Sequence, residues 1–165
     1  MKKSLFVVAA FVLFAFTKCK KAEGVACTDG DRNVIASAAE IASVNNYITN
    51  AMLTGYTQHS SGFFFKVVTP GTTAPGLCSK ISVAYTGKLT NGNTFDQSTN
   101  ASFTLGGTIE GWRKGIPQVG KGGRVNLIIP PTLGYGAQEV RDRNAVVIIP
   151  SNSILVFDVT INDVQ

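Results

Sequence analysis

At 165 residues the chain is long enough for one domain with appendages. Its formal charge of +5 is concentrated at the start: without Lys2, Lys3 and Lys18, the 15 basic residues fall to 12 against 10 acidic ones, a near-balance that argues against a nucleic-acid-binding surface. One histidine and three cysteines, widely spaced, leave no cluster with metal-ligand spacing.

Met1 to about Thr17 opens with Lys2-Lys3 and continues as LFVVAAFVLFAF, the charged and apolar regions of an export signal. The apolar run is shorter than the roughly 20 residues of a comfortable transmembrane helix. Cys19 follows, and its placement resembles a bacterial lipoprotein signal, in which the cysteine is acylated and becomes the first mature residue. An acyl chain would hold the domain at a membrane surface without spanning it. Lys18 and Phe16 depart from the small and aliphatic residues usual before such a cysteine, so a plain signal peptide cut nearby and an uncleaved anchor stay open as alternatives. The boundaries implied are a signal over 1–18, a polar tether over 19–31, a helical extension over 32–60 and the main domain over 61–165. The expected location is the bacterial cell envelope, periplasmic or outer-membrane associated.

Val34, Ile35, Ala38, Ile41, Ala42, Asn45, Ile48 and Met52 follow helical spacing, predicting one amphipathic helix between about Arg32 and Leu53, capped by Asp29 or Asp31, with a break near Asn45-Asn46. Such a stripe packs on its own domain more often than it serves dimerisation or substrate capture. His59, in TQHSSG, has no ligand or carboxylate cluster beside it and is expected at the surface. Gly62 opens a first strand, FFFKVV, and Pro70, Gly71, Pro75 and Gly76 form the loop after it. With Cys19 assigned to lipid, Cys27 and Cys78 remain. In an exported protein an even pair reads as a disulfide, the alternative being two free thiols.

In VAYTGKL, Val83, Tyr85 and Gly87 alternate with Ala84, Thr86 and Lys88, as in a half-buried strand with Tyr85 inward. Asn91-Gly92 signals a tight hairpin, because both central residues of such a turn favour positive φ. The return through Thr94-Phe95-Asp96 brings a carboxylate beside the Tyr85 phenol; taken alone, Asp96 is equally at home capping the next turn. Trp112, the only tryptophan, precedes RKGIPQV, a short helix of about two turns because Pro117 is awkward inside it. Gly120, Gly122 and Gly123 form a turn rather than a phosphate loop, lacking the lysine-threonine context. Val125, Leu127 and Ile129 alternate along the next strand, Pro130-Pro131 ends it, and Leu155, Phe157, Val159 and Ile161 form one face of the last.

In this order YTG, NGxxFD, LGxxIxGW, GGRxxLIIP, GYG, IIP and LVFDV resemble the FKBP-type peptidyl-prolyl cis-trans isomerase domain over roughly Phe63 to the C-terminus. The resemblance implies an α+β fold, a bent antiparallel β-sheet wrapped around a short α-helix, here preceded by the N-terminal amphipathic helix. It implies an isomerase of Xaa-Pro bonds assisting the folding of exported proteins, without metal or cofactor. The partners implied are proline-containing unfolded or exported polypeptides and, at the same pocket, macrolide inhibitors. Its pocket positions fall on Tyr85, Phe95, Asp96, Ile109, Trp112, Tyr135, Ile149 and Phe157. In those roles Trp112 forms the floor, Ile109 supplies a backbone donor, and Tyr135 donates to a substrate carbonyl. Asp96 and Tyr85 carry the electrostatic part of catalysis, together with Tyr135.

Two segments depart from the family. QSTNAS after Asp96 is short and lacks both the arginine that often pairs with the aspartate and one wall aromatic, whose place Ala101 takes. AQEVRDRNAVV after Gly136 is long and charged. A non-catalytic chaperone gripping unfolded chains through the same apolar pocket is the competing function, and an inert anchored domain a third.

Overall fold

The computed structural model describes Gly30 and residues 32–165. The expected signal, the tether with Cys19 and Cys27, and the caps Asp29 and Asp31 lie outside the described residues.

In chain order the elements are α1 (Ala38–Asn50), β1 (Thr57–Gln58), β2 (Phe64–Thr69), β3 (Lys80–Leu89), β4 (Thr94–Thr104), α2 (Glu110–Gly115), β5 (Arg124–Ile129), β6 (Val140–Arg141), β7 (Val147–Ile149) and β8 (Leu155–Val164). Six strands form one antiparallel sheet in the order β1-β2-β5-β8-β3-β4, while β6 and β7 pair separately. The α+β expectation therefore holds. Among the described residues no helix is long and apolar enough to cross a membrane.

The two helices take opposite faces of the sheet. On one, Val125, Leu127 and Ile129 of β5, Phe157 and Val159 of β8 and Val83 of β3 pack with Trp112 and Ile116 in the main core. The helix lies so close to β5 that a Cβ on Gly111 would stand 2.5 Å from the Ile129 side chain. On the other face a smaller cluster joins Val44 of α1 to Phe64 and Ile128, with Ile41, Ile48 and Val156 around it. Ile128 and Phe64 point away from the main core by strand alternation, and α1 is what buries them. Of the stripe expected from sequence only Ile41 and Ile48, with Val34 ahead of the helix, pack on the domain; Ala38, Ala42 and Asn45 are exposed, as are Ile35 and Met52, and the buried residue of the helix is Val44, which that stripe omits.

α1 begins later than its periodicity suggests, because a capping box closes it. Ser37 Oγ accepts from the Glu40 amide and the Glu40 carboxylate accepts from the Ser37 amide, leaving Val34 and Ile35 before the helix and outside any regular element. Asn45 and Asn46 do not break it. α2 begins at Glu110, two residues before Trp112, and passes at Gly115 into a 3₁₀ turn, Ile116–Gln118, which accommodates Pro117. β4 continues far past Asp96, so QSTNAS is strand, not loop. It pairs with β3 across a bulge that skips from Val83↔Ala101 to Tyr85↔Ser98. Cys78, just before β3, is disulfide-bonded. His59 is half-buried rather than superficial: its ring stacks on Phe63 at 4.5 Å and its Nδ1 lies 2.9 Å from Ser61 Oγ.

Candidate active site

β3, β4, α2, β8 and the turns following β4 and β5 enclose a cavity of about 370 Å³ lined by Tyr85, Phe95, Asp96, Phe103, Gly107, Thr108, Ile109, Trp112, Tyr135 and Phe157. Seven of the eight pocket positions expected from sequence meet here. The eighth, Ile149, is placed in β7 within the main core, 2% exposed, rather than on the lining.

Trp112 forms the floor. It is 5% exposed and meets Tyr85, Phe103 and Phe157 edge-to-face, with ring centroids 5.2, 5.6 and 5.3 Å away. Edge-to-face contact sets the positive ring edge against the negative face of its neighbour, which fixes ring orientation as well as burial. Phe95 stands edge-on to Phe157 at 5.5 Å, and both crowd Gly87: a Cβ there would lie 2.6 Å from Phe95 and 2.8 Å from Phe157. The glycine of YTG is thus the space into which two wall residues fit.

Phe103 was not anticipated. Ala101 takes the usual aromatic position, and Phe103 lies two residues on, where strand period returns it to the same face. Its signal was SFTLGG, an isolated aromatic in polar surroundings.

The polar groups lie on the rim. Tyr85 donates its phenolic hydrogen to Asp96 Oδ2 at 2.6 Å, a short bond of the charge-assisted kind. Burial, reinforced by the hydrogen bond to Asp96, pushes the Tyr85 phenol well above its ordinary pKa. Tyr135 is raised too, first by burial and then by the Asp96 charge across the cavity. Both phenols therefore stay protonated at neutral pH and remain donors. Asp96 itself is exposed, and no ion pair reaches it among the described residues. Further along β4, Asn100 Oδ1 accepts from Ser82 Oγ and from Asn162 Nδ2, tying the bulge to β3 and β8.

Ile109 is the N-cap of α2, its carbonyl accepting from the Trp112 and Arg113 amides at 2.9 and 3.0 Å. The long segment after Gly136 folds as the β6–β7 hairpin. Arg141 binds Glu139 and the Ala145 carbonyl, and Asp142 Oδ1 accepts from the amides of Asn144 and Val146, both at 2.9 Å. Glu139 and Arg141 pair with each other, and none of the charged residues of the segment lines the cavity.

Among the described residues no group of three His, Cys, Asp or Glu could hold a metal. The cavity offers apolar walls, hydrogen-bond donors and one carboxylate, with no nucleophile paired to a base. Such a site suits a reaction that breaks no covalent bond. Peptide rotation must overcome about 18–20 kcal/mol because amide resonance is lost. The planar amide is strongly dipolar and the twisted one less so, so a dry apolar cavity disfavours the former relative to the latter.

A family model described as FKBP-type peptidyl-prolyl cis-trans isomerase matches residues 71–162, leaving α1, β1 and β2 before it. The Escherichia coli (strain K12) FKBP-type peptidyl-prolyl cis-trans isomerase FkpA is 40% identical over 116 residues, 67% of this chain and 41% of that protein. Its crystal structure superposes with a TM-score of 0.66 at 36% identity, covering 78% of this chain and 60% of that one. A peptidyl-prolyl cis-trans isomerase structure from Pseudomonas syringae pv. tomato gives 0.65 at 28% identity, over 77% of this chain and 94% of the other. The chain spans 34% to 41% of the length of the curated FkpA relatives it matches.

Proposed function

Because the chain belongs to the FKBP-type peptidyl-prolyl cis-trans isomerase family, we propose that it catalyses rotation about Xaa-Pro bonds in unfolded or exported polypeptides. The observation that carries this is the aromatic cavity floored by Trp112, with the Tyr85–Asp96 pair and Tyr135 as donors and carboxylate at its rim. Proline is the fitting target, since its cis and trans forms lie within about 1 kcal/mol yet exchange only in tens to hundreds of seconds. In this reading the pyrrolidine ring rests on the Trp112 indole between Tyr85, Phe95 and Phe157, Tyr135 donates to a substrate carbonyl, and the Ile109 amide supplies a backbone donor. Asp96 orients Tyr85 and bears on the twisting carbonyl. A macrolide would occupy the same walls.

The chain should accelerate isomerisation of a proline peptide, and a pocket-filling macrolide should compete. Tyr135→Phe removes one neutral hydrogen bond, on the order of 1 kcal/mol or several-fold in kcat/KM. Asp96→Ala and Tyr85→Phe should give overlapping losses in a double-mutant cycle, since each removes the same 2.6 Å bond. Strict additivity would separate the two, and full activity of folded Asp96→Ala would leave the apolar walls as the source of catalysis. A chain that binds unfolded polypeptide but leaves the isomerisation rate unchanged would be the non-catalytic chaperone instead.

A Cys19-acylated form in the bacterial envelope, with Cys27 joined to Cys78, is supported by the short apolar run ending before Cys19, the polar stretch after it and the disulfide at Cys78. Closing the span from Cys27 to Cys78 would contribute about 4 kcal/mol on the chain-entropy estimate. Mass spectrometry of the mature protein, unreduced and reduced, should find an acyl mass on Cys19 and a linked Cys27–Cys78 peptide. An uncleaved or unacylated N-terminus overturns the anchor, and free thiols at Cys27 and Cys78 overturn the pairing.

A further inference from the structure

Glu40 belongs to the helical extension before the family match, yet its carboxylate reaches the turn that carries Tyr135. Oε1 accepts from the Thr132 amide and from Thr132 Oγ1, each at 2.8 Å, and Oε2 accepts from Thr132 Oγ1 at 2.9 Å. Oε2 also accepts from the Ser37 amide at 2.9 Å and from Ser37 Oγ at 3.0 Å. One carboxylate thus closes the capping box of α1 and grips a residue 92 positions away. Partial burial opposes its charge, but the donors of Ser37 and Thr132 outweigh that and hold the carboxyl below its ordinary pKa, so the group is anionic at neutral pH.

Thr132 sits in the 3₁₀ turn Pro131–Leu133, directly before Gly134 and Tyr135. The amides of Gly134 and Gly136, flanking Tyr135, both donate to the Pro131 carbonyl at 2.9 Å. Tyr135 is 40% exposed, so packing alone holds it loosely, and its place over the cavity depends on that turn. A charged acceptor with two donors on Thr132 fixes the turn where side-chain burial does not.

We propose that Glu40 is a positioning residue for Tyr135, clamping the rim turn from the N-terminal helix. The proposal rests on the isomerase reading for its consequence, but the clamp itself is measurable without catalysis. Hydrogen exchange on the full chain should show the Gly134 and Gly136 amides exchanging about tenfold faster in Glu40→Ala. Ala42→Gly, on the exposed side of α1, weakens the helix without touching Thr132 and should leave those amides at wild-type rates. Glu40→Gln keeps an acceptor for Thr132 and should recover most of the protection. In the isomerisation assay Glu40→Ala should lose several-fold in kcat/KM, and the loss should vanish in a Tyr135→Phe background. Unchanged exchange at Gly134 and Gly136 in Glu40→Ala overturns the clamp, as does an equal loss in both backgrounds or the same faster exchange in Ala42→Gly. A wild type that does not isomerise proline peptides would defeat the function, and the exchange result would still decide the clamp.

Discussion

Arg113→Ala should destabilise the chain by about 3–5 kcal/mol, the usual result of removing one member of a buried ion pair. Arg113 is 6% exposed and Glu110 9%. The Arg113 Nε lies 3.3 Å from Glu110 Oε1, while its two terminal nitrogens donate to the carbonyls of Gly106 and Gly30, the latter at 2.9 Å. Among the described residues the Glu110 carboxylate accepts no hydrogen bond, so without Arg113 it keeps only the ion pair with Arg32 at 3.3 Å. Arg32 has a side chain 64% exposed, so its attraction is screened, and Arg32→Ala should cost less than about 1 kcal/mol. The asymmetry is the test: urea melts should show a large midpoint shift for Arg113→Ala at constant slope, and a small one for Arg32→Ala. Replacing both partners, as in Arg113→Met with Glu110→Leu, should recover part of the loss, because no charge is then stranded. A cost below about 1 kcal/mol for Arg113→Ala would mean that water reaches Glu110 and the pair is not structural. The effect would not stop at stability, since Gly106 precedes Gly107 and Thr108 on the cavity wall.

How much of this was legible depended on which force makes each element. β8 and β3 announce themselves because one face is buried and the other not, so period two survives in the sequence. β4 does not. It is an edge strand whose residues from Gln97 to Ser102 are small or polar, and its extension comes from pairing with β3 rather than from intrinsic preference. That is also why Phe103 was overlooked, as a strand was needed to carry the period from Ala101 to it. In β5, Ile128 breaks the alternation because α1 covers the second face, a tertiary fact with no local signature. The start of α1 was readable and missed: Ser37-Ala38-Ala39-Glu40 is a capping box, stronger than the isolated aspartates upstream. Ile149 matched by resemblance, but hairpin β6–β7 is built on its own polar contacts, and Ile149 serves the core. The Glu40–Thr132 contact joins residues with no shared pattern and could come only from the fold.

Trp112→Ala should have the largest effect on function, because the indole carries both the core and the floor of the cavity. Truncating a buried tryptophan typically costs about 3–5 kcal/mol. Here three rings, Tyr85, Phe103 and Phe157, lose their edge-to-face partner at once. The Tyr85 phenol is held by Asp96 at one end and by this ring at its side, so the loss loosens the electrostatic pair as well. For catalysis the relevant quantity is the apolar area a pyrrolidine ring would cover. On the order of 80 Å² at about 25 cal/mol per Å² is about 2 kcal/mol, or roughly 30-fold in kcat/KM. Misfolding could imitate that result, so Trp112→Leu is the decisive variant: it fills much of the core but offers no flat face. It should stay folded and still lose on the order of tenfold in kcat/KM if ring stacking holds the proline. Since Trp112 is the only tryptophan, wild-type emission should also shift when a proline peptide enters. A folded Trp112→Leu protein with wild-type kcat/KM would show that the floor only shapes the core, and would shift the catalytic burden to Phe95, Phe157 and the donors on the rim.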